Sequence, residues 1–140
     1  LGLGDRIQLP GQVADPRPWM QQAKIFLMSS RSEGFPNALC EAMAAGLPVV
    51  STDCYSGPSD IITQDVDGLL IPPEDPAVMA TALERLIASE ELRARLAQAA
   101  PGVAERYSLN SVMEEWDFVL SRLIGVTTQP GGYNTGDSTS

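Results

Sequence analysis

The sequence predicts an α/β fold, in which a parallel sheet carries helices on both faces. Short apolar segments, typical of strands, alternate along the chain with segments whose apolar residues recur at helical spacing. The strand-like segments are nearly continuous in apolar residues rather than alternating, as in parallel strands buried on both faces. Helices then cover the two faces of the sheet, and ligands bind beyond the carboxyl ends of the strands.

The predicted strands are short and bounded by turn residues. They lie at residues 6–9, 24–28, 47–51 and 69–71. The first stops at Pro10, and the third starts at or after Pro48, because proline cannot donate a backbone hydrogen bond. The second (KIFLM) is the most apolar, and we expect it to be buried on both faces.

The predicted helices are recognised by their caps and apolar faces. They lie at residues 16–23, 36–45, 75–87, 90–100 and 109–123, with a helical turn near residues 60–62. Asp15 and Ser108 are the expected amino-terminal caps of the first and last, and Gly46 follows the second as its C′ residue. The apolar helix faces place Trp19 and Trp116 in the predicted core. Residues 125–140 have no periodicity and many Gly, Ser and Thr, which predicts a disordered tail.

The composition excludes several kinds of chemistry. The 140 residues include 9 lysines and arginines against 18 aspartates and glutamates, a formal net charge of -9, and no histidine. Without histidine, this chain supplies neither a Ser-His-Asp triad nor an imidazole metal ligand. The pI of about 4.3 disfavours general binding to nucleic acid, which needs basic patches. The length suits one domain rather than two.

The two cysteines, Cys40 and Cys54, do not have the spacing of a CxxC zinc or redox motif. Cys40 lies within an apolar helical stretch, so we expect a buried free thiol and a reducing compartment. No apolar run approaches the roughly 20 residues of a membrane span. Because the chain starts abruptly at Leu1, we expect a piece of a longer polypeptide.

The most unusual loop follows the second strand, in the run SSRSEGFPNALCEAMAAG at residues 29–46. A buried strand leads into a loop with Gly34 and then into a helix that opens at residue 36 or 37. The first N–H groups of a helix lack partners within it, and its dipole is positive there. The arrangement therefore predicts an anion site suited to phosphate. The amides that would face the ligand belong to Asn37, Ala38 and Leu39.

Two carboxylates frame this predicted anion site. Glu33 lies in the loop, and Glu41 lies about one turn inside the helix. A carboxylate repels phosphate, whereas it accepts hydrogen bonds from the adjacent hydroxyls of a sugar. The pattern thus fits a sugar nucleotide. On spacing alone, the simpler alternative stays open that both glutamates are ordinary solvated residues.

The run from Ser32 to Val50 closely resembles the glutamate-x7-glutamate motif of the retaining GT-B glycosyltransferases of group 1, also called family 4. The flanking segments are similar to the family over roughly residues 1–124. The resemblance implies a Rossmann-like sheet, the C-terminal half of a GT-B fold, incomplete at its N-terminus. Residues 1–124 would be a partial nucleotide-sugar-binding domain, followed by the disordered tail.

By position, the resemblance implies a role for each residue of the motif. Glu33 matches the first glutamate, at the catalytic position beside the transferred sugar, whose hydroxyls it binds. Glu41 matches the second glutamate, which binds the ribose hydroxyls. The loop backbone along the sugar and diphosphate corresponds to Gly34, Phe35 and Pro36. The helix-start amides at the distal phosphate correspond to Asn37, Ala38 and Leu39. Neither a metal nor a cofactor is implied.

The resemblance implies transfer of a hexose with retention from a UDP- or GDP-linked donor to a glycan or lipid-linked acceptor, as in surface polysaccharide assembly. The enzyme would be cytoplasmic, free or peripheral on the cytoplasmic face of the membrane. The acceptor-binding domain, and the family's diphosphate-neutralising Arg and Lys, would lie upstream of this sequence, since neither Lys24 nor Arg31 matches them. The fragment alone would be inactive. A sugar-nucleotide epimerase of the same fold and a non-catalytic nucleotide-binding domain stay open as alternatives.

Overall fold

The computed structural model describes residues 3–125, which contain a three-stranded parallel sheet. Its strands are β1 (Phe26–Met28), β2 (Val49–Thr52) and β3 (Leu69–Ile71), in the spatial order β1-β2-β3. Leu27 is in register with Val50, which is in register with Leu69 on the other side. Because the strands are parallel, their carboxyl ends all lie at one edge of the sheet.

Helices fill most of the rest of the described chain. They are α1 (Arg17–Gln22), α2 (Asn37–Ala44), α3 (Pro58–Ile61), α4 (Pro76–Ala88), α5 (Glu90–Ala99), α6 (Val103–Arg106) and α7 (Leu109–Ile124), with 3-10 turns at Gly4–Arg6 and Ala100–Gly102. Cap chemistry sets several of their ends. The Asp75 carboxylate accepts hydrogen bonds at the start of α4, the Ser108 hydroxyl does so at the start of α7, and Gly46 follows α2 with φ of 76°.

The core lies on both faces of β2, all four residues of which are buried. On one face, Val50 of β2 packs in a cluster with residues of β3, α4 and α5: Leu69, Ile71, Ala82, Leu86 and Leu96. Val49 points to the opposite face, because side chains alternate along a strand, and α2 contacts β1 and β2. Burial of Val49 as well as Val50 confirms the predicted α/β architecture with both faces covered.

The chain divides into two compact units, residues 1–104 and 105–140. The sheet and helices α1 to α5 belong to the first unit, and α7 belongs to the second. Of the predicted tail, Gly125 closes α7 with φ of 71°, and residues 126–140 lie outside the described residues. Among residues 3–125, no helix has both the length and the apolar character needed to cross a bilayer.

The predicted strand at residues 6–9 is wrong. Residues 4–6 form a 3-10 turn, and although Ile7 is extended (φ -119°, ψ 125°), no described strand pairs with it. Leu9 is 90% exposed. A strand needs a neighbouring backbone to accept and donate its hydrogen bonds, and an apolar run of four residues specifies no such neighbour.

Four burial predictions also need correction. Leu27 of β1 is 42% exposed, so this strand is not buried on both faces. Trp19 and Trp116 are 49% and 56% exposed and are therefore not core residues. Helical spacing shows which residues share a face, but it does not show what covers that face. Cys40, expected to be buried, is only half-buried, whereas Cys54 is buried; neither cysteine forms a disulfide, as expected for Cys40.

Candidate functional site

The loop between β1 and α2 starts at the carboxyl edge of the sheet, where ligands bind in open α/β folds. Within this loop, the carboxylate of Glu33 is half-buried, and its Oε1 accepts a hydrogen bond from the Ser30 hydroxyl. The Ser30 carbonyl in turn accepts a hydrogen bond of 2.6 Å from the hydroxyl of Thr52, the last residue of β2. Glu33 is thus connected to the sheet through two side chains.

A second loop, which follows β2, lies against the first. Ser32 pairs with Tyr55 in an isolated parallel bridge. Farther along, Gly57 contacts Pro36 so closely that a Cβ on the glycine would lie 2.7 Å from Pro36 Cδ. Gly57 also has a φ of 112°, which L side chains rarely adopt. The two loops are therefore in direct contact at the start of α2.

The amides at the start of α2 are less free than the sequence predicts. Asn37 N–H donates to the Phe35 carbonyl at 2.9 Å, and Leu39 N–H donates to the Pro36 carbonyl at 3.0 Å. Among the described residues, the Ala38 N–H has no acceptor. The helix dipole still favours an anion here, so an incoming phosphate would meet one unpaired amide and two that would share their hydrogen bonds.

Space for a ligand remains in front of this helix start. Gly34 is exposed, and a Cβ added to it would meet no atom within 4 Å. Phe35 is also exposed, whereas Pro36 is buried against the second loop. The backbone at Gly34 can therefore be approached closely from solvent, as expected for a loop that contacts a sugar or diphosphate.

Glu41 contributes to a cleft that has no lining residue from the loop between β1 and α2. Its exposed side chain lines a cleft of about 470 Å³ between α1 and α2, together with Asp15, Pro16, Arg17, Met20, Gln21, Ala44 and Ala45. Cleft volume and a free carboxylate on its wall are compatible with a bound nucleoside.

One charged pair, Asp15 and Arg17, lies in the same cleft. Arg17 Nε donates to the Asp15 carboxylate at 2.8 Å, and the backbone N–H of Arg17 donates to the same carboxylate at 3.0 Å. The side-chain hydrogen bond, and after it the backbone one, lower the pKa of Asp15, while the side-chain hydrogen bond to Asp15 raises the pKa of Arg17. The expectation that Asp15 caps α1 is wrong: Pro16 is the N-cap residue, no side chain caps this helix, and the Asp15 carboxylate accepts from Arg17 instead. The i, i+2 spacing of opposite charges beside a proline was the only indication of the pair.

Two other clefts help to locate the site. One of about 300 Å³ lies at the carboxyl edge and is lined by Ser29, Arg31, Thr52, Glu74, Asp75, Pro76 and Met79. Arg31 and Glu74 form an ion pair of 3.0 Å across it, exposed enough to contribute little stability. A larger cleft of about 510 Å³ lies at the opposite edge, around residues that precede β1 and β2, such as Lys24 and Pro48. Its position, away from the carboxyl ends of the strands, separates it from the glutamate loop.

No group of three or more metal-ligating side chains occurs among residues 3–125. Asp65 and Asp67 lie in the turn that precedes β3. The Asp67 carboxylate accepts a hydrogen bond of 2.7 Å from the Thr63 amide, and Asp65 pairs with Arg85 at 3.0 Å. Both carboxylates are therefore engaged in holding the turn before β3.

Two residues that sequence reasoning missed are Ser30 and Thr52. Both resemble ordinary strand-end residues in the sequence. The only indication was the Ser-x-x-Glu spacing from Ser30 to Glu33, because a serine and a glutamate three residues apart can reach each other within one turn of chain. Thr52 could not be found in this way, since it comes from another strand.

Comparison with known proteins places this chain in a family. The sequence pattern described as "Glycosyl transferases group 1" matches residues 1–89. The chain is 43% identical over 94 residues to the lipopolysaccharide 1,6-galactosyltransferase of Escherichia coli K12, covering 64% of this chain and 26% of that protein. It is 33% identical over 131 residues to the exopolysaccharide phosphotransferase SCO2592 of Streptomyces coelicolor, covering 93% of this chain and 14% of that protein.

Solved structures agree with the fold. A TarM variant of S. aureus, in complex with fondaparinux, alpha-GlcNAc-glycerol and UDP, matches with a TM-score of 0.77 at 30% identity, covering 84% of this chain and 24% of that one. The parallel sheet and its helices correspond to the C-terminal domains of GT-B structures. The chain spans between 14% and 26% of the length of the two curated relatives.

Proposed function

The chain belongs to the glycosyl transferases of group 1, and from this membership we propose that it binds the nucleoside diphosphate sugar from which a retaining GT-B enzyme transfers a hexose. The observation that carries the proposal is the glutamate loop at the carboxyl edge. There Glu33, an open backbone at Gly34 and the unpaired amide of Ala38 follow one another along the chain.

Each part of a sugar nucleotide has a chemically suitable partner in this arrangement. The sugar hydroxyls donate to the Glu33 carboxylate, which has one oxygen free of the bond from Ser30. The diphosphate lies along Gly34 and accepts from the Ala38 amide at the positive end of α2. The ribose hydroxyls donate to Glu41 in the cleft beside α1.

The proposed contribution to catalysis is positioning and charge stabilisation. As the bond from the anomeric carbon to the diphosphate breaks, negative charge grows on the leaving oxygen. Amides and a helix dipole aimed at that charge lower the barrier without a proton transfer from these residues. Glu33 holds the sugar in the reactive orientation, and transfer proceeds with retention at the anomeric carbon.

The whole enzyme extends beyond the donor site in this proposal. We take the chain to be the C-terminal, donor-binding part: it spans only 14% and 26% of the two relatives compared above, and its fold corresponds to the C-terminal domains of GT-B structures. The acceptor, a glycan or a lipid-linked sugar, binds to another part of the enzyme, and the 140 residues alone bind the donor without transferring it. We place the enzyme in the cytoplasm or at the cytoplasmic face of the membrane. Relatives named as transferases do not favour the epimerase or the non-catalytic alternative.

Titration calorimetry of the 140-residue chain tests the proposal. The probes are UDP and GDP, each compared with its glucose, galactose or mannose conjugate. We expect one nucleotide and its sugar conjugate to bind. Glu41→Ala should weaken both by about tenfold, the usual effect of losing a charged hydrogen bond.

Glu84→Ala is the matched control, since Glu84 is exposed on α4 and its carboxylate has no hydrogen-bond partner among the described residues. It should leave both affinities unchanged. The proposal fails if the unaltered chain binds none of the probes. The role of Glu41 fails if Glu41→Ala and Glu84→Ala bind the nucleotide equally well.

A further inference from the structure

We infer that Ser30 and Thr52 are positioning residues that set the orientation of the Glu33 carboxylate for the sugar of the donor. This inference rests on the proposed function, because it concerns the sugar end of the same site. It assigns no chemistry to either hydroxyl. Both act through Glu33, and neither is a catalytic residue.

The Glu33 carboxylate is held at one of its two oxygens. Within residues 3–125, the Glu33 carboxylate has one hydrogen-bond partner, the Ser30 hydroxyl, and no ion pair. That bond uses Oε1 and leaves Oε2 with its full capacity to accept. A glutamate side chain has several rotatable bonds, and the hydrogen bond from Ser30 already restricts them before a ligand binds. Binding of a sugar therefore costs less side-chain entropy.

Ser30 is itself held by a residue of the sheet. Its carbonyl accepts a hydrogen bond of 2.6 Å from Thr52 Oγ1, a contact between residues 22 positions apart. Thr52 is only 3% exposed and belongs to β2, the central strand of the sheet. The Ser51 hydroxyl donates to the Thr52 carbonyl at 3.0 Å. The hydrogen bond from Thr52 thus links the Ser30 carbonyl to β2, a strand whose four residues are all buried.

Glu33 also precedes an open part of the loop. The loop that carries Glu33 starts at the carboxyl edge of the sheet, and the open space at Gly34 follows directly. An oxygen fixed beside this space can accept from a sugar hydroxyl, whereas Glu41 lies in the separate cleft beside α1. Loss of Ser30 should therefore affect the sugar and spare the nucleotide.

An ordinary loop hydrogen bond would behave differently. If Ser30 only stabilised the fold of the loop, its removal would disturb the start of α2 and weaken the nucleotide and the sugar nucleotide alike. The ratio of the two affinities therefore distinguishes positioning from general stabilisation, and this ratio does not depend on how much stability the variant loses.

The experiment compares UDP or GDP with its tightest-binding sugar conjugate in calorimetry on the 140-residue chain. Ser30→Ala should weaken the sugar nucleotide by about fivefold to tenfold, within the range for a hydrogen bond to a charged group, and the nucleotide by less than about twofold. Thr52→Val, which replaces the hydroxyl by a methyl of similar size, should act in the same direction. Thr52→Ser should restore the affinity, because it retains the hydroxyl.

Ser59→Ala is the matched control, because Ser59 is an exposed serine of α3 with no hydrogen bond among the described residues. It should change neither affinity. Equal losses for nucleotide and sugar nucleotide in Ser30→Ala, or no loss in either, would overturn the positioning role. A wild-type chain that binds neither probe overturns the proposed function instead.

A second measurement needs no ligand. In a double-mutant cycle, Ser30→Ala, Glu33→Ala and the double variant are unfolded by urea. We expect the unfolding equilibrium constant to show a coupling of about threefold or more between the two sites. Independent effects would mean that the Ser30 hydroxyl does not hold Glu33, and the positioning role would then be wrong regardless of the binding result.

Discussion

Gly57 lies against the ring of Pro36, with room for no side chain between them: a Cβ on the glycine would be 2.7 Å from Pro36 Cδ. Gly57 precedes α3 and Pro36 precedes α2. The starts of these two helices are therefore in direct contact, next to the proposed phosphate site. The contact joins parts of the chain that are 21 residues apart (57 less 36).

Gly57→Ala should destabilise the protein and displace the start of α2. The methyl group meets a rigid ring, and the φ of 112° is strained for alanine, so we expect a loss of about 1–3 kcal/mol in the free energy of unfolding. Urea denaturation measures it. Gly102→Ala, where a Cβ meets no atom within 4 Å, is the control and should remain within about 0.5 kcal/mol of wild type. Equal stability of the two variants would contradict the contact.

Gly34→Ala, unlike Gly57→Ala, should leave the stability unchanged and act on ligand binding instead. No atom lies within 4 Å of the added Cβ and φ is not left-handed, so the unfolding midpoint should stay unchanged within about 0.5 kcal/mol. The methyl group would, however, occupy the space proposed for the donor. We expect calorimetry to show a clear loss of sugar-nucleotide affinity. Unchanged affinity would mean that no ligand approaches the backbone at this glycine.

Asp75→Ala should weaken the start of α4. The Asp75 carboxylate accepts from the Ala77 amide at 3.1 Å and from the Val78 amide at 3.0 Å. Loss of such a cap reduces stability by about 1 kcal/mol, which thermal and urea unfolding would both detect. Glu84→Ala in the same helix removes an exposed carboxylate without a hydrogen bond and should be neutral. A neutral Asp75→Ala would show that water replaces the cap.

The pair of Asp15 and Arg17 predicts a pH effect in the cleft beside α1. Hydrogen bonds from Arg17 lower the pKa of Asp15, so the ionised carboxylate favours the folded state. That contribution is present above the usual aspartate pKa of about 3.9 and is lost as the pH falls through the lowered value. Carbon-detected NMR should find the Asp15 midpoint below that of an unpaired aspartate.

Arg17→Gln should raise the midpoint of Asp15 toward the ordinary value. Arg85→Gln removes the ion pair with Asp65 instead and should leave the Asp15 midpoint where it is. If Arg17→Gln has no effect, the guanidinium is not responsible for the lowered pKa.

The parts of the fold that local chemistry specifies could be predicted from the sequence. The helix that ends before Gly46 is one example, because residue 46 has a left-handed φ of 76°, which glycine adopts readily. The apolar run of β3 and the cap at Ser108 are others. The position of the glutamate loop followed from the same reasoning, since it lies between a strand and a helix.

The parts that depend on distant contacts could not be predicted. Ile7 has extended dihedral angles but lacks a neighbouring strand among residues 3–125. Trp19 lies on a helix of six residues that buries none of its own side chains. The amides of Asn37 and Leu39 find acceptors within the loop, which depends on the turn made at Pro36 rather than on residue type. Thr52 reaches Ser30 from another strand, and no local pattern shows that pairing.

The different support of the two glutamates has a consequence for redesign of the donor site. Glu33 is connected to the buried strand β2 through Ser30 and Thr52, whereas Glu41 stands on the exposed surface of α2 opposite the short helix α1. In the proposed function, substitutions on α1 would then alter the choice of nucleotide without moving the sugar. Altering the choice of sugar would require changes at the end of β2, where the loss of packing has to be compensated within the core.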